Sequence, residues 1–142
     1  PIQYASIKAY EDNHDEFIKS SKNILKAVGE YVYNNLKSNK ILINKPQGGF
    51  YLMPEFISTK FSSSSELCGD ILKKTGVALL PGSDFGFDEK KLIVRLSFTD
   101  FDGENFMKEY TKNDILNNSI IKNFAPKVVE GVDKLKKWSE TI

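Results

Sequence analysis

Arg95 is the single arginine among 20 basic residues, and it stands in the middle of Leu92-Ile93-Val94-Arg95-Leu96-Ser97-Phe98. A guanidinium carries a planar fork of donors that meets a carboxylate through two parallel charge-assisted bonds, which the point charge of a lysine cannot imitate. Two uses are open to it: gripping a carboxylate ligand, or laying its stem on apolar surface and pairing with a nearby Asp or Glu. Other reactive residues are sparse. His14, the only histidine, falls in the polar break Glu11-Asp12-Asn13-His14-Asp15, where a solvated loop or cap position is expected in place of a catalytic base. No second histidine and no cysteine cluster accompanies it to hold a metal. The lone Cys68 excludes an internal disulfide and fits a reducing compartment. Its place beside an apolar stripe makes it a small buried hydrophobe.

Gly48-Gly49 has two readings, a source of positive φ for a turn or bulge and a point where backbone approaches a ligand closely; spacing alone favours the turn. No glycine-rich phosphate loop is present. Asp84-Phe85-Gly86 spells a protein-kinase tripeptide, but no His-Arg-Asp loop or nucleotide loop goes with it, so the match is taken as coincidence.

These residues must be held by regular elements. Alternation from Leu92 to Phe98 predicts a strand with Leu92, Val94, Leu96 and Phe98 on a core face and Ile93, Arg95 and Ser97 on the other. Pro1 to Tyr10 is compatible with one short helix opened by proline. Phe17, Ile24, Leu25, Val28, Val32 and Leu36 recur at helical spacing, predicting a long amphipathic helix from about Asp15 to Leu36. Ile41 to Asn44 and Phe50 to Pro54 read as two strands joined by the Lys45-Pro46-Gln47-Gly48-Gly49 turn. After the serine-rich linker from Lys60, Ser63 and Glu66 form a capping box for a helix that buries Leu67, Ile71 and Leu72 and stops at Gly76. Val77 to Leu80 reads as a short strand, ended by Pro81-Gly82 at the centre of a type II turn. Glu104 to Phe124 is polar and loosely periodic, with room for a helix or two. Ala125-Pro126 opens a last helix that carries Val128, Val129, Val132, Leu135 and Trp138 on one side.

The order of elements predicts an α+β domain, a mostly antiparallel sheet flanked by helices. At 142 residues and 40% hydrophobic content the chain can bury one core. A net charge of +1, with no long single-sign run, argues against nucleic acid or an anionic membrane surface as the main partner. No apolar run is long enough to span a membrane. The chain opens on Pro1 with no initiator methionine, which suits a proteolytic piece or one domain of a longer polypeptide.

Three ordered blocks resemble a known family: Pro46-x-Gly48-Gly49-Phe50-Tyr51, then Gly76-Val77-Ala78-Leu79-Leu80-Pro81-Gly82-Ser83-x-Phe85-Gly86, then Val94-Arg95-Leu96-Ser97-Phe98. They look like the C-terminal portion of class I/II aminotransferases, the fold-type-I enzymes that use pyridoxal phosphate, and closest to aspartate aminotransferases. The opening Pro1-Ile2-Gln3-Tyr4-Ala5 is similar to the segment that leads into the long helix joining the family's two domains. The resemblance covers Pro1 to about Asp100. It implies that 1–142 is the small domain, with 1–40 a linking helix region and 104–124 an insertion.

By the same resemblance Arg95 would hold the α-carboxylate of an amino-acid substrate. Phe50 would line the pocket beside Gly49, a plain core role being the alternative, and Pro81-Gly82-Ser83 would shape its wall. The cofactor lysine, its Gly-x-Arg-x-Gly stretch and the phosphate-binding residues belong to the family's large domain. Since Arg95 is the only arginine, that stretch is not here. The chain alone is therefore expected to hold no catalytic residue, to bind no pyridoxal phosphate and to be inactive. The full-length enzyme is expected to be a cytoplasmic homodimer that moves an amino group from an amino acid to a 2-oxo acid. The alternatives are a non-catalytic α+β module that binds a carboxylate or mediates assembly, and another fold-type-I enzyme such as a lyase.

Overall fold

The structure, a computed structural model, describes residues 1–113 and 115–142, with side chains for all of these except 112 and 113. Two helices open the chain, α1 (Ile2–Glu11) and α2 (Asp15–Leu36), followed by three two-residue strands, β1 (Ile41–Leu42), β2 (Tyr51–Leu52) and β3 (Glu55–Phe56). Then come helix α3 (Ser64–Thr75), strand β4 (Leu80–Pro81), a 3-10 turn (Gly82–Phe85) and strand β5 (Val94–Ser97). Helices α4 (Gly103–Asn113), α5 (Asn118–Phe124) and α6 (Pro126–Ser139) end it. All strand pairs are antiparallel, in a three-stranded sheet ordered β2-β5-β4 and a two-stranded one of β1 and β3. The expected α+β class holds.

Helix α2 is the spine of the core. Its stripe buries Ile24, Val28, Val32 and Leu36 against α6, α4 and α5. Gly29 lets the Phe98 ring and the Pro46 ring lie against the helix, since a Cβ there would stand 3.0 Å from Phe98 and 3.3 Å from Pro46. Helix α6 begins with Pro126 in its first turn and buries Val128, Val132, Leu135 and Trp138. Trp138 meets Phe56 edge-on at 5.6 Å between ring centres and donates from Nε1 to Asp70 Oδ2 at 3.0 Å. The polar stretch after Glu104 belongs to the same core, through Phe106, Tyr110 and Ile121. Ring pairs Phe101–Phe106 and Phe106–Phe124, each at 5.5 Å, tie it down.

Five expectations need correction. Phe17, expected in the buried stripe of α2, is 62% exposed, because it lies in the first turn, one to two turns before the packing against α4, α5 and α6 begins to bury the helix. The stretch Ile41 to Pro54 is no hairpin: β1 pairs with β3, with Ile41 opposite Phe56, whereas β2 pairs with β5, with Tyr51 opposite Ser97. The Pro/Gly segment is thus a crossing between sheets, and β2 joins β5 with Leu52 opposite Leu96, both buried. Residues Val77 to Leu79 stay outside any ladder, and only Leu80–Pro81 pairs with β5. Pro81-Gly82 forms no type II turn, since the glycines with positive φ are Gly49, Gly76 and Gly86. Gly82 instead donates to the Ile93 carbonyl at 2.8 Å, and a Cβ would sit 2.7 Å from that oxygen. Leu72 is 51% exposed because Leu67 and Ile71, four apart, already define the buried side of α3.

Both ends of α3 form as expected, with one shift. Ser63 Oγ accepts from the Glu66 amide, and Gly76 closes the helix in the left-handed region at φ 74°. The Glu66 carboxylate reaches back to the backbone and hydroxyl of Ser62, one residue earlier than a capping box, and these bonds hold its carboxyl below the usual range.

Candidate functional site

Strand β5 divides its side chains as alternation requires. Leu92, Val94, Leu96 and Phe98 are buried, and Arg95 is half-buried on the other face. Ile93 is the exception: it lies on Arg95's side yet is 8% exposed, with Gly82 packed so closely that a Cβ there would stand 3.1 Å from the Ile93 Cβ. Arg95 therefore projects from an element locked on both sides, with Leu80 of β4 opposite it and Tyr51 of β2 opposite Ser97.

Around the guanidinium the recorded partners are ring faces. Its central carbon lies 4.1 Å over the centre of the Phe85 ring and 4.5 Å over that of Tyr51. The ion pairs among the described residues are all made by lysines, so the expected alternative, an arginine satisfied by a neighbouring acid, is not what the structure contains. No side-chain hydrogen bond of Arg95 is found among the described residues.

Phe50 lies beside this group. Its ring centre is 4.3 Å from that of Tyr51, and its carbonyl accepts from the Phe98 amide at 3.3 Å. It is 40% exposed, which argues against a plain core role. Gly49 has φ 68°, and no atom lies within 4 Å of where its Cβ would be. Its freedom is spent on backbone conformation, and nothing is pressed against it.

Ser83 lies across from the start of α3, within 3.4 Å of the Ser64 hydroxyl, and so joins the Pro81-Gly82-Ser83 stretch to that helix. The ring contacts among Phe50, Tyr51, Arg95 and Phe85 make a shelf. The wider clefts lie elsewhere, one lined by Asp100, Asn105, Lys108 and Lys127 and another along α6 by Val77, Leu79 and Val132.

The remaining candidates do not join the shelf. His14 caps α2 by position, is exposed, and makes no side-chain cap bond. Cys68 is 8% exposed, and burial followed by the charge of Asp84 pushes its thiol up to about 11, far from a nucleophile's range. No group of acids, histidines and cysteines among the described residues could hold a metal ion, and none of the helices described is long and apolar enough to cross a membrane.

Sequence reasoning missed Tyr51 and Phe85 as neighbours of Arg95. Tyr51 was signalled only inside the Gly-Gly block, and Phe85 only inside the second block and in the tripeptide taken as coincidence. Nothing in the local pattern tells which strand either ring will lie over.

Comparison with known proteins identifies the family of the chain. The model of the family "Aminotransferase class I and II" matches residues 1–107. An aspartate aminotransferase of Sulfolobus acidocaldarius is 33% identical over 111 residues, covering 75% of this chain and 27% of the relative. Another, from a Bacillus species, is 34% identical over 101 residues, covering 68% and 25%. The chain thus spans about a quarter of the length of these curated relatives. An aromatic aminotransferase from Pyrococcus horikoshii, 22% identical, superposes with a TM-score of 0.71 over 99% of this chain and 31% of its own, a likeness of fold. The family match over most of the chain and the identity of these relatives establish that the chain belongs to the class I and II aminotransferases.

Proposed function

We propose that these 142 residues are the small domain of an aminotransferase, in which Arg95 grips the α-carboxylate of an amino acid that passes its amino group to a 2-oxo acid. One observation carries this: the only arginine stands on a rigid strand, flanked by Tyr51 and Phe85, with no acid of the described chain paired to it. A guanidinium so placed selects carboxylates and fixes the substrate's angle, which is the larger part of what a binding domain adds to catalysis. Phe50 and Gly49 form the near side of the pocket, and the Pro81-Gly82-Ser83 loop its wall.

The family's cofactor, pyridoxal phosphate, supplies the electron sink for amino transfer. It needs a lysine for its aldehyde and a partner for its ring nitrogen. The partners at Arg95 are aromatic rings, which supply neither of these at this site. The reading accordingly places the cofactor on a large domain outside these residues, and makes 1–40 the link to it and 104–124 an insertion. A homodimer and a cytoplasmic setting come from the resemblance alone; sedimentation of the complete polypeptide and cell fractionation test them.

The deciding experiment replaces Arg95 by Ala and by Lys in the complete polypeptide and measures kcat/KM for its amino acid. Loss of a charge-assisted contact worth about 1.5–3 kcal/mol lowers kcat/KM roughly ten- to 150-fold in the Ala variant. Lys, lacking the fork, recovers only part. An unchanged kcat/KM removes Arg95 from the site. Carboxylate binding without any transamination by the complete polypeptide supports a non-catalytic module, and product analysis separates a lyase.

A further inference from the structure

Phe85 is 40% exposed, so core burial does not explain where its ring lies. Its position is nevertheless closely determined. Strand β4 sets Leu80 opposite Arg95. Gly82 then bonds to the Ile93 carbonyl at a distance that leaves no room for a Cβ, which fixes the start of the 3-10 turn against β5. At the other end Gly86, at φ 85°, donates to Ser83 O at 3.2 Å, and Phe87 donates to Gly82 O at 3.2 Å. Between these two glycines Phe85 comes to lie 4.1 Å from the guanidinium carbon, nearer than Tyr51 at 4.5 Å.

We infer that Phe85 is a positioning residue for the carboxylate grip: its ring face, with that of Tyr51, holds the Arg95 guanidinium without taking any of its N–H donors in a hydrogen bond, and so leaves that fork for a carboxylate. The attraction between cation and ring face orients the group without using a donor. An acid in the same place would orient it too, but would occupy the fork and neutralise the charge. This inference rests on the reading of Arg95 as the carboxylate-binding group.

The test uses the fact that one arginine gives one guanidinium Nε–H signal in the NMR spectrum of the 142-residue chain. Succinate is titrated against the wild type, Phe85→Leu and Phe85→Tyr, with uncharged succinamide as control. Succinate is expected to move the signal and succinamide to leave it. Phe85→Leu is expected to bind succinate about three- to tenfold more weakly, the size of one cation–ring contact, with its unfolding midpoint followed at Trp138 unchanged. Phe85→Tyr should restore the wild-type response. Equal affinity of Phe85→Leu and wild type overturns the inference while Arg95 keeps its role. A wild-type signal indifferent to succinate overturns the reading of Arg95 and the inference with it.

Discussion

Helices α6 and α1 are both well supplied with apolar side chains, yet α6 buries Val128, Val132, Leu135 and Trp138 whereas α1 buries nothing. In α6 these residues recur at i, i+4, i+7 and i+10, a stripe that faces α2 and α3. In α1, Tyr4, Ile7 and Tyr10 recur at i, i+3 and i+6, a stripe as narrow as that of α6 with Ile2 outside it, yet no element of the described chain covers it, and the exposures of the four run from 52% to 91%. Apolar content is therefore a poor guide to which segment stabilises this fold. A narrow stripe with an opposing surface is what counts.

Leu135→Ala should break the buried side of this comparison most severely. Leu135 is 1% exposed, and its truncation should cost about 2–5 kcal/mol, read from denaturant unfolding followed at Trp138. Cys68→Ser, on α3 facing the same core, should cost about 1–3 kcal/mol, because a hydroxyl replaces a buried thiol. The native thiol should resist alkylation at neutral pH and react once the chain unfolds, since burial first and Asp84 second raise it to about 11.

A smaller effect is expected at the margin of α6. The hydrogen bond from Lys74 and that from Trp138 outweigh desolvation and hold the Asp70 carboxyl below its ordinary value. The stabilisation is accordingly present above the unfolded carboxylate range, near pH 4, and lost as pH falls through the lower folded value. Asp70 is half-buried but its partner Lys74 is mostly in water, so Asp70→Asn should cost under about 1 kcal/mol at pH 7, and the difference from wild type should vanish in acid. Tyr10→Ser on α1 should be smallest, within about 0.5 kcal/mol of wild type. A loss above about 1 kcal/mol there would show that α1 is covered in solution and would dissolve the contrast.

The same distinction explains what could be read before the fold was known. Helices α2, α3 and α6 were legible because their burial pattern is local: Leu67 and Ile71, or Val128 and Val132, declare their side within one turn. The core face of β5 was legible by alternation from Leu92 to Phe98. Strand pairing was not, because whether Tyr51 lies beside Ile41 or beside Ser97 depends on residues some forty positions further on, and the intervening glycines permit either. Arg95 was picked out by being alone of its kind. Its surroundings were hidden because Phe85 reaches it through a turn whose course depends on Gly82 meeting the Ile93 carbonyl, a contact between segments.

The shortness of the sheet has a consequence for handling this chain. Its edges are β2 and β4, two residues each, and β4 ends on Pro81, which has no amide hydrogen to offer. A neighbouring molecule finds almost no ladder to extend at either border. Despite 12% aromatic residues, several of them in water, clumping through strand addition should be suppressed, and any self-association should proceed by side-chain contact.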